Sequence, residues 1–401
     1  MLSQVVRSGV IRQSPNQWVV SMTSFRRASW LLFGAAVALS NCIPMSAQET
    51  IRVATFNVSL YGDSEGEVLE RLRAKGDAQA TKIAAIVQTV RPDILLLNEI
   101  DYDSDGVTLN LLNTNYFAVN QHGKQSMEYP YCYPIPSNTG ITSDVDIDGD
   151  GDSSDPGDAW GYGVYPGQYA MAIVSRFPLV LDSVRSFQRY RWRDLPNALR
   201  PYDADGRTFF YNDQVWNQLR LSSKNHVDVP VRVGNHLVHL LASHPTPPVF
   251  DGPDDHNGCR NHDEIRFWTD YLASDASHLM DDRGVRGGLL GNELFVIAGD
   301  LNSDPDAGDS RRTAIRELLS NPRAQDANPG SLGAAEASNQ TKVNATSSFG
   351  GNRFMRLDYV LPSRNFKILK AGVFWPSSGN QDRKLIDASD HRMVWIEVEL
   401  P

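Results

Sequence analysis

Short apolar runs that stop abruptly on a carboxylate, an amide or an imidazole recur along this 401-residue chain, and they restrict what it can become. The clearest is Leu294-Phe-Val-Ile-Ala-Gly-Asp300-Leu-Asn302-Ser-Asp-Pro305. Its four leading apolar residues predict a buried strand, and Ala298-Gly299 breaks the run. Asp300 and Asn302 follow two positions apart, on one side of the chain at strand spacing. A charge at the end of a buried strand is costly unless something pairs with it. A divalent cation and a phosphate would supply that partner. A plain strand-end turn, for which Asp, Asn, Ser and Pro are ordinary residues, would need none.

The same pattern appears elsewhere. Ile51-Arg-Val-Ala-Thr-Phe-Asn57-Val predicts a first strand ending on Asn57. Ile83, Ile86, Val87 and Val90 fall at helical spacing within 77–90, and Pro92 stops that helix. Asp93-Ile-Leu-Leu-Leu-Asn98-Glu99-Ile predicts a second buried strand ending on a carboxylate. Another strand runs from Gly167 to Arg176 and stops at Pro178, with residues 179–187 as its hairpin partner. Strands at 219–222, 227–233 and 237–243 follow, the last ending on His244-Pro-Thr-Pro-Pro, where the prolines imply an exposed, rigid loop. Residues 261–280 predict a helix with Ile265, Trp268, Leu272 and Leu279 on its apolar face; His262 and Glu264 suit its start better than a ligand role. Phe354-Met-Arg-Leu-Asp358-Tyr and Ala388-Ser-Asp390-His391-Arg-Met-Val again set acids at the edges of apolar strands. Strands and helices alternate in the manner of an α/β protein.

Residues 1–47 are excluded from the fold. Arg26-Arg27 precedes an apolar run from Trp30 to Leu39, and small residues end at Ser46-Ala47, the pattern of a cleaved signal peptide. Leu39-Ser-Asn-Cys42 resembles a lipobox, but Asn41 is a poor residue before the cysteine, so secretion or periplasmic export is the main expectation and lipid anchoring at Cys42 the lesser one. The apolar run is too short to span a bilayer, and no later stretch is long enough for a transmembrane segment. Cleavage would remove four arginines and no acids, moving the formal charge from −10 to −14. Such a body lacks the basic footprint of a sequence-specific DNA binder. It leaves phosphodiester hydrolysis open, because bound cations reverse the local sign. Cys132 and Cys259 would remain, and in an oxidising compartment they could pair.

Residues 129–165 are rich in Pro, Gly, Ser and Asp and predict a long loop. Within the insert 144–158, Asp144, Asp146, Asp148, Asp150, Asp152 and Asp155 occupy positions 1, 3, 5, 7, 9 and 12 of a calcium loop of EF-hand type, with Gly149 at position 6. Position 12 is Asp rather than Glu, and no flanking helices are evident. The expectation is a structural Ca²⁺ site distinct from the catalytic centre; the alternative is a solvated acidic loop. Between Arg189 and Arg200, Tyr190 and Trp192 alternate with arginines, either to stack on bases or to pack on the core.

Thr55-Phe-Asn57, Asn98-Glu99, Met171-Ala-Ile-Val-Ser-Arg176-Phe-Pro, Ser243-His244, Gly299-Asp300-Leu-Asn302, Arg356-Leu-Asp358-Tyr and Ser389-Asp390-His391 occur in this order. Together they resemble the endonuclease/exonuclease/phosphatase superfamily across nearly all of residues 48–401. The resemblance implies an α/β fold: a four-layer sandwich with two central mixed β-sheets flanked by helices, and a site at one edge. It implies Mg²⁺ (or Mn²⁺) held mainly by Glu99, with Asn57 and Asp390 completing the surroundings. His391 resembles the catalytic histidine, paired with Asp358; Asp300 and Asn302 would orient the water and the phosphate; His244 would contact a phosphate oxygen or assist the leaving group. Hard oxygen ligands suit Mg²⁺. In DNase-type members a Glu supports the second histidine, and here Gly167-Gln168 stands in that place. The expected activity is secreted phosphoester hydrolysis, with phosphodiesters and extracellular nucleic acid first. The alternatives are a phosphomonoesterase, a sphingomyelinase-like hydrolase, or a Ca²⁺-stabilised binding module without activity.

Overall fold

A computed structural model of the chain describes residues 49–350 and 352–401, and the expected signal peptide and Cys42 lie outside the described residues. The first sheet contains β1 (Thr50–Leu60), β2 (Ile94–Ile100), β3 (Tyr131–Ile135) and β4 (Ala170–Ser175). The second contains β5 (Arg185–Ser186), β6 (His226–Val233), β7 (His236–Ser243) and β8 (Leu294–Asp300). A two-stranded ribbon of β9 (Ser347–Ser348) and β10 (Phe354–Met355) follows. Then β11 (Asp358–Pro362) joins the second sheet, and β12 (Lys367–Val373) and β13 (Val394–Glu399) join the first. The strand orders are β12-β13-β1-β2-β4-β3 and β11-β8-β7-β6-β5. Each sheet has one parallel pair, β1 with β2 and β7 with β8, among antiparallel neighbours. Both are therefore mixed, in keeping with the expected sandwich.

Side-chain alternation explains the layers. In β8, Val296 and Ala298 enter a core shared with Val53, Leu95 and Val394 of the first sheet, whereas Phe295 and Ile297 enter a second core with Ile265 and Trp268. Strand β11 divides in the same way, Val360 to one side and Tyr359 and Leu361 to the other. A strand buried on both faces must read as a continuous apolar run, as β8 does. Helices α1 (Glu67–Arg73), α2 (Ala78–Val90) and α3 (Val107–Leu112) pack on the first sheet's side through Leu72, Ile83 and Leu109. On the other side lie α4 (Asp213–Trp216), α5 (His256–Tyr271) and α6 (Thr313–Leu319).

Several expectations are corrected. Residues 179–187 do not form a hairpin with β4: after Pro178 the chain crosses to the second sheet, where Val180 N–H donates to Pro230 O (2.8 Å) and β5 pairs with β6. The loop expected at 129–165 contains β3, an edge strand that tolerates Pro134. Residues 219–222 are no strand; they lie against α5, with Arg260 Nε donating to Leu221 O (2.9 Å). The helix expected at 261–280 is α5, beginning five residues earlier because Asp251 and Asp254 accept the N–H groups of Asn257 (2.8 Å) and His256 (3.1 Å). It ends at Tyr271, short of Leu272 and Leu279. Cys132 and Cys259 are free thiols, one on the edge strand of the first sheet and the other in α5 beside the second. Burial raises each to about 11. Among the described residues no helix is long and apolar enough to cross a membrane.

Candidate active site

The topology gathers the strand-ending polar residues at one rim. Because β1 and β2 are parallel, Asn57 and Glu99 leave the first sheet at the same end. Because β13 runs antiparallel to β1, with Thr55 opposite Val394, the residues that precede β13, Asp390 and His391, come to that end too. In the second sheet β7 and β8 are parallel, which places His244 beside Asp300, and β11 begins with Asp358 opposite Asp300. Gly299 permits the close approach of β7 to β8: a Cβ there would fall 1.9 Å from Ser243 O.

Backbone irregularities aim the first-sheet residues. The register of β1 with β2 slips between Asn57 and Leu60, and that of β2 with β4 between Asn98 and Ile100. Glu99 itself has φ 56°, a left-handed conformation that a glutamate seldom takes. A bulge re-aims a side chain at a strand end, and here it turns the carboxylate out of the pleat and into the rim.

Asn57 is the bridge. Its Nδ2 donates to Glu99 Oε1 (2.8 Å) and to Asp300 Oδ2 (3.0 Å), while its Oδ1 accepts from Ser59 N–H (3.2 Å). Ser389 Oγ donates to Asn57 O (2.8 Å) and Ser59 Oγ to Asp390 Oδ1 (3.0 Å), which pins the Asp390 segment to the end of β1. His391 Nδ1 bonds Asp358 Oδ2 (2.9 Å), leaving Nε2 to face Asp300 Oδ2 at 3.6 Å. Asp358 is in turn held from behind, where Thr346 Oγ1 accepts from its backbone N–H (3.1 Å). Asp300 Oδ1 accepts Asn302 N–H (2.9 Å), and Asn302 Nδ2 donates to Pro245 O (3.1 Å), tying the β8 loop to the His244 loop.

His244 departs from its expectation. It is buried, not exposed, with 2% of its surface accessible. Neither ring nitrogen has a hydrogen-bond partner, and Nε2 lies 3.7 Å from Asp300 Oδ2 and 3.9 Å from Glu99 Oε1. Gln168, which stands where a supporting carboxylate was sought, donates instead to Gly62 O (2.9 Å). A buried imidazole free at both nitrogens is poised for a group outside the chain.

The electrostatics follow from this crowding. Burial raises Glu99 above the ordinary carboxylate range, partly opposed by His391 and Asn57. Asp300 is also raised, by burial and by Asp358, against the opposing pull of His391. Burial disfavours the charged form of His391, but Asp358 and Asp300 outweigh it and hold the ring well above its usual value. Burial, with Lys224 and His391 adding to it, holds His244 well below. Two carboxylates forced together in a buried site are strained until a cation joins them.

The ligand atoms of Glu99, His244 and Asp300 all lie within 4.8 Å of one another, as do those of Asp300, Asp358 and His391. Oxygen-rich donors on a half-open rim fit a small, hard divalent ion. Glu99 would be the main ligand, with Asn57 and the exposed Asp390 at its edge.

Residues 189–200 do not line this rim as a stacking platform. Tyr190 and Trp192 are buried, and Trp192 Nε1 donates to Asp263 Oδ2 (2.7 Å). Two further groups near the site belong to no strand-end motif. Lys224 precedes β6 and carries no local motif. Glu264, taken for a helix-start residue, is fully buried: one carboxylate oxygen accepts Ser223 N–H (2.7 Å) and the other Thr246 N–H (2.6 Å). Its place one residue before Ile265 and four before Trp268, on the face that those two apolar residues bury, is the signal in the sequence.

The endonuclease/exonuclease/phosphatase family model matches residues 54–391. Among solved structures, the chain is similar to an endonuclease/exonuclease/phosphatase from Beutenbergia cavernae DSM 12333, at 17% identity over 88% of this chain and 72% of that one, with a TM-score of 0.49. A beta toxin from Staphylococcus aureus matches at 14% identity over 88% and 100% of the two chains, TM-score 0.43. The human nocturnin catalytic domain matches at 14% over 88% and 95%, TM-score 0.43. No curated protein matches the chain in sequence. With the family model spanning the chain from the first strand to His391, the chain belongs to the endonuclease/exonuclease/phosphatase family, whose members are metal-dependent phosphoester hydrolases.

Proposed function

We propose that the protein is a secreted, Mg²⁺-dependent hydrolase of phosphodiesters, with nucleic acid as the leading substrate class. The observation that carries this reading is the Asn57 bridge between Glu99 and Asp300, set against the His391–Asp358 pair. A bound Mg²⁺ or Mn²⁺ would polarise the phosphoryl group and screen its charge. The chain's own residues do the rest. A water placed against Asp300 gives up its proton to that carboxylate as its oxygen bonds to phosphorus, and the His391 imidazolium, 3.6 Å from Asp300 Oδ2, holds the carboxylate in place. The ester P–O bond opposite breaks, and the departing oxygen takes a proton from bulk water, while His244, held neutral, contacts a phosphate oxygen through its ring N–H. Asn302, with its amide fixed to Pro245 O, keeps the Asp300 loop in register with His244.

A side-by-side assay of plasmid DNA, RNA, bis-p-nitrophenyl phosphate, p-nitrophenyl phosphate and sphingomyelin, each with Mg²⁺ and with EDTA, tests the proposal. Cleavage of nucleic acid and of the diester, abolished by EDTA, is the expected result. Turnover of the monoester alone would overturn it, and turnover of sphingomyelin alone would keep the diester chemistry but remove nucleic acid as the substrate class.

The proposal includes a structural Ca²⁺ in the 144–158 insert. Ligand atoms of Asp146, Asp148 and Asp158 lie within 4.8 Å of one another, and so do those of Asp148, Asp150 and Asp155; Asp144 is in neither group. Asp158, which the spacing rule did not include, is fully buried. Its Oδ1 accepts Ile147 N–H (2.5 Å) and its Oδ2 has no partner. Burial and neighbouring aspartates raise Asp148 and Asp158, the signature of carboxylates short of a cation. Calcium at a hundred times its dissociation constant would add about 2.7 kcal/mol, or roughly 4 °C in melting temperature. Asp148→Ala should abolish that rise. A melt that is the same in Ca²⁺ and in EGTA would remove the site.

A further inference from the structure

Lys224 is a buried residue whose ammonium has no ion pair among the described residues. It lies in the turn that enters β6, and its backbone is locked from both sides. Ser223 N–H and Oγ donate to Glu264 Oε1 (2.7 and 3.0 Å), Asn138 N–H donates to Lys224 O (2.9 Å), and Asn225 Nδ2 donates to Pro136 O (2.9 Å). The residue is 7% exposed. Among the described residues, no hydrogen bond reaches its Nζ and no carboxylate comes within the 4.0 Å of an ion pair. The register places it: His226 pairs with Ser243, so Lys224, two residues before, lies beside the His244 loop at the end of the second sheet that carries Asp300. Burial lowers the pKa of the ammonium, and Glu264, Glu99 and Asp300 oppose that shift.

The same glutamate holds both halves of this arrangement. Glu264 fixes Ser223 through one oxygen and Thr246, two residues beyond His244, through the other. Asn261, one turn earlier on α5, donates to Thr246 O (2.8 Å) and Leu301 O (3.0 Å). Helix α5 thus positions the Lys224 turn, the His244 loop and the Asp300 loop relative to one another. The residue is almost wholly covered, yet its Nζ is not among the fully enclosed side-chain atoms that lack a partner, so the ammonium keeps an opening to solvent. A chain that holds one rigidly beside a cluster of hydrolase residues is keeping it for a group that arrives from outside.

We propose that Lys224 is a further catalytic residue, whose Nζ donates to a non-bridging oxygen of the phosphoryl group. The inference rests on the hydrolase reading. A compact ammonium with three donors suits a point contact to a phosphate oxygen, and such charge-assisted bonds are about twice as strong as neutral ones. Lys224 keeps its protons throughout. The attacking water's proton goes to Asp300, the P–O ester bond breaks with its oxygen protonated by bulk water, and the ammonium offsets the negative charge that builds on the equatorial oxygen.

The test compares wild type with Lys224→Met on bis-p-nitrophenyl phosphate in Mg²⁺, with inorganic phosphate as inhibitor and a thermal melt of each protein. A wild type without turnover would be a failure of the hydrolase reading itself. Given turnover, kcat/KM should fall by about 10²–10³-fold, the cost of one transition-state donor. Phosphate should inhibit the variant at least tenfold more weakly. The melting temperature should hold or rise, since a buried charge has gone. Activity and phosphate inhibition within threefold of wild type would overturn the proposal. So would a melt several degrees lower, which would show the ammonium to be a structural counter-charge.

Discussion

Asp300→Asn should lose about 10³-fold in kcat while folding at least as well as the wild type in metal-free buffer. Loss of a positioned proton acceptor costs 10²–10⁴-fold, and no other carboxylate at the rim faces His391 Nε2 as Asp300 does at 3.6 Å. Stability moves the other way. Burial and Asp358 raise the Asp300 carboxyl, so its charge at neutral pH weighs against the folded state. The sign follows from linkage: a carboxyl raised in the folded protein withdraws stability as pH climbs past its unfolded value. Each pH unit of that displacement is worth about 1.4 kcal/mol. The amide forfeits one hydrogen bond from Asn57, worth about 1 kcal/mol. Steady-state turnover of bis-p-nitrophenyl phosphate and a melt in EDTA decide the matter together. Turnover near wild type would remove Asp300 from the chemistry, and a collapsed melt would make it a structural residue.

Glu99→Gln should leave the fold intact and lower kcat/KM by on the order of 10²–10³-fold, with much of the loss restored at high Mg²⁺. The amide keeps an oxygen for Asn57 Nδ2, which now bonds Glu99 Oε1 at 2.8 Å, so the bridge survives. What disappears is the charge. The bulge and the left-handed backbone at Glu99 serve only to aim that side chain at the rim, and their strain is retained in the variant. Activity measured against rising Mg²⁺ should show a higher half-saturation concentration. An unchanged metal dependence would assign the ion to other ligands.

The parts of the site that were legible in the sequence are those written within a single strand end. Asn57, Glu99, Asp300, Asp358 and His391 each follow or precede an apolar run, and a buried strand that stops on a charge announces itself. The mixed sheets could be anticipated for the same reason, since β2 and β8 read as continuous apolar runs. Lys224 and Glu264 were not legible in this way. Their meaning comes from a contact between the β6 turn and a helix 40 residues later. The crossing at Pro178 looked like a hairpin because proline marks the end of a strand without saying which sheet receives the next one. In the acidic insert, spacing alone placed Asp144 in the cation site. Asp144 is in neither close carboxylate group, whereas Asp158, which lies beyond the twelve-residue pattern, joins Asp146 and Asp148 in one of them.

The claim beneath all of this is that remote strand ends meet to hold one cation against a phosphoryl group. A calorimetric titration of Mn²⁺ into the Asp148→Ala protein, which leaves the rim as the proposed cation site, tests it without any assumption about substrate. A single saturable site that weakens at least a hundredfold when Glu99→Gln is added is the predicted result. Equal binding with and without Glu99, or no saturable binding at all, would contradict the account.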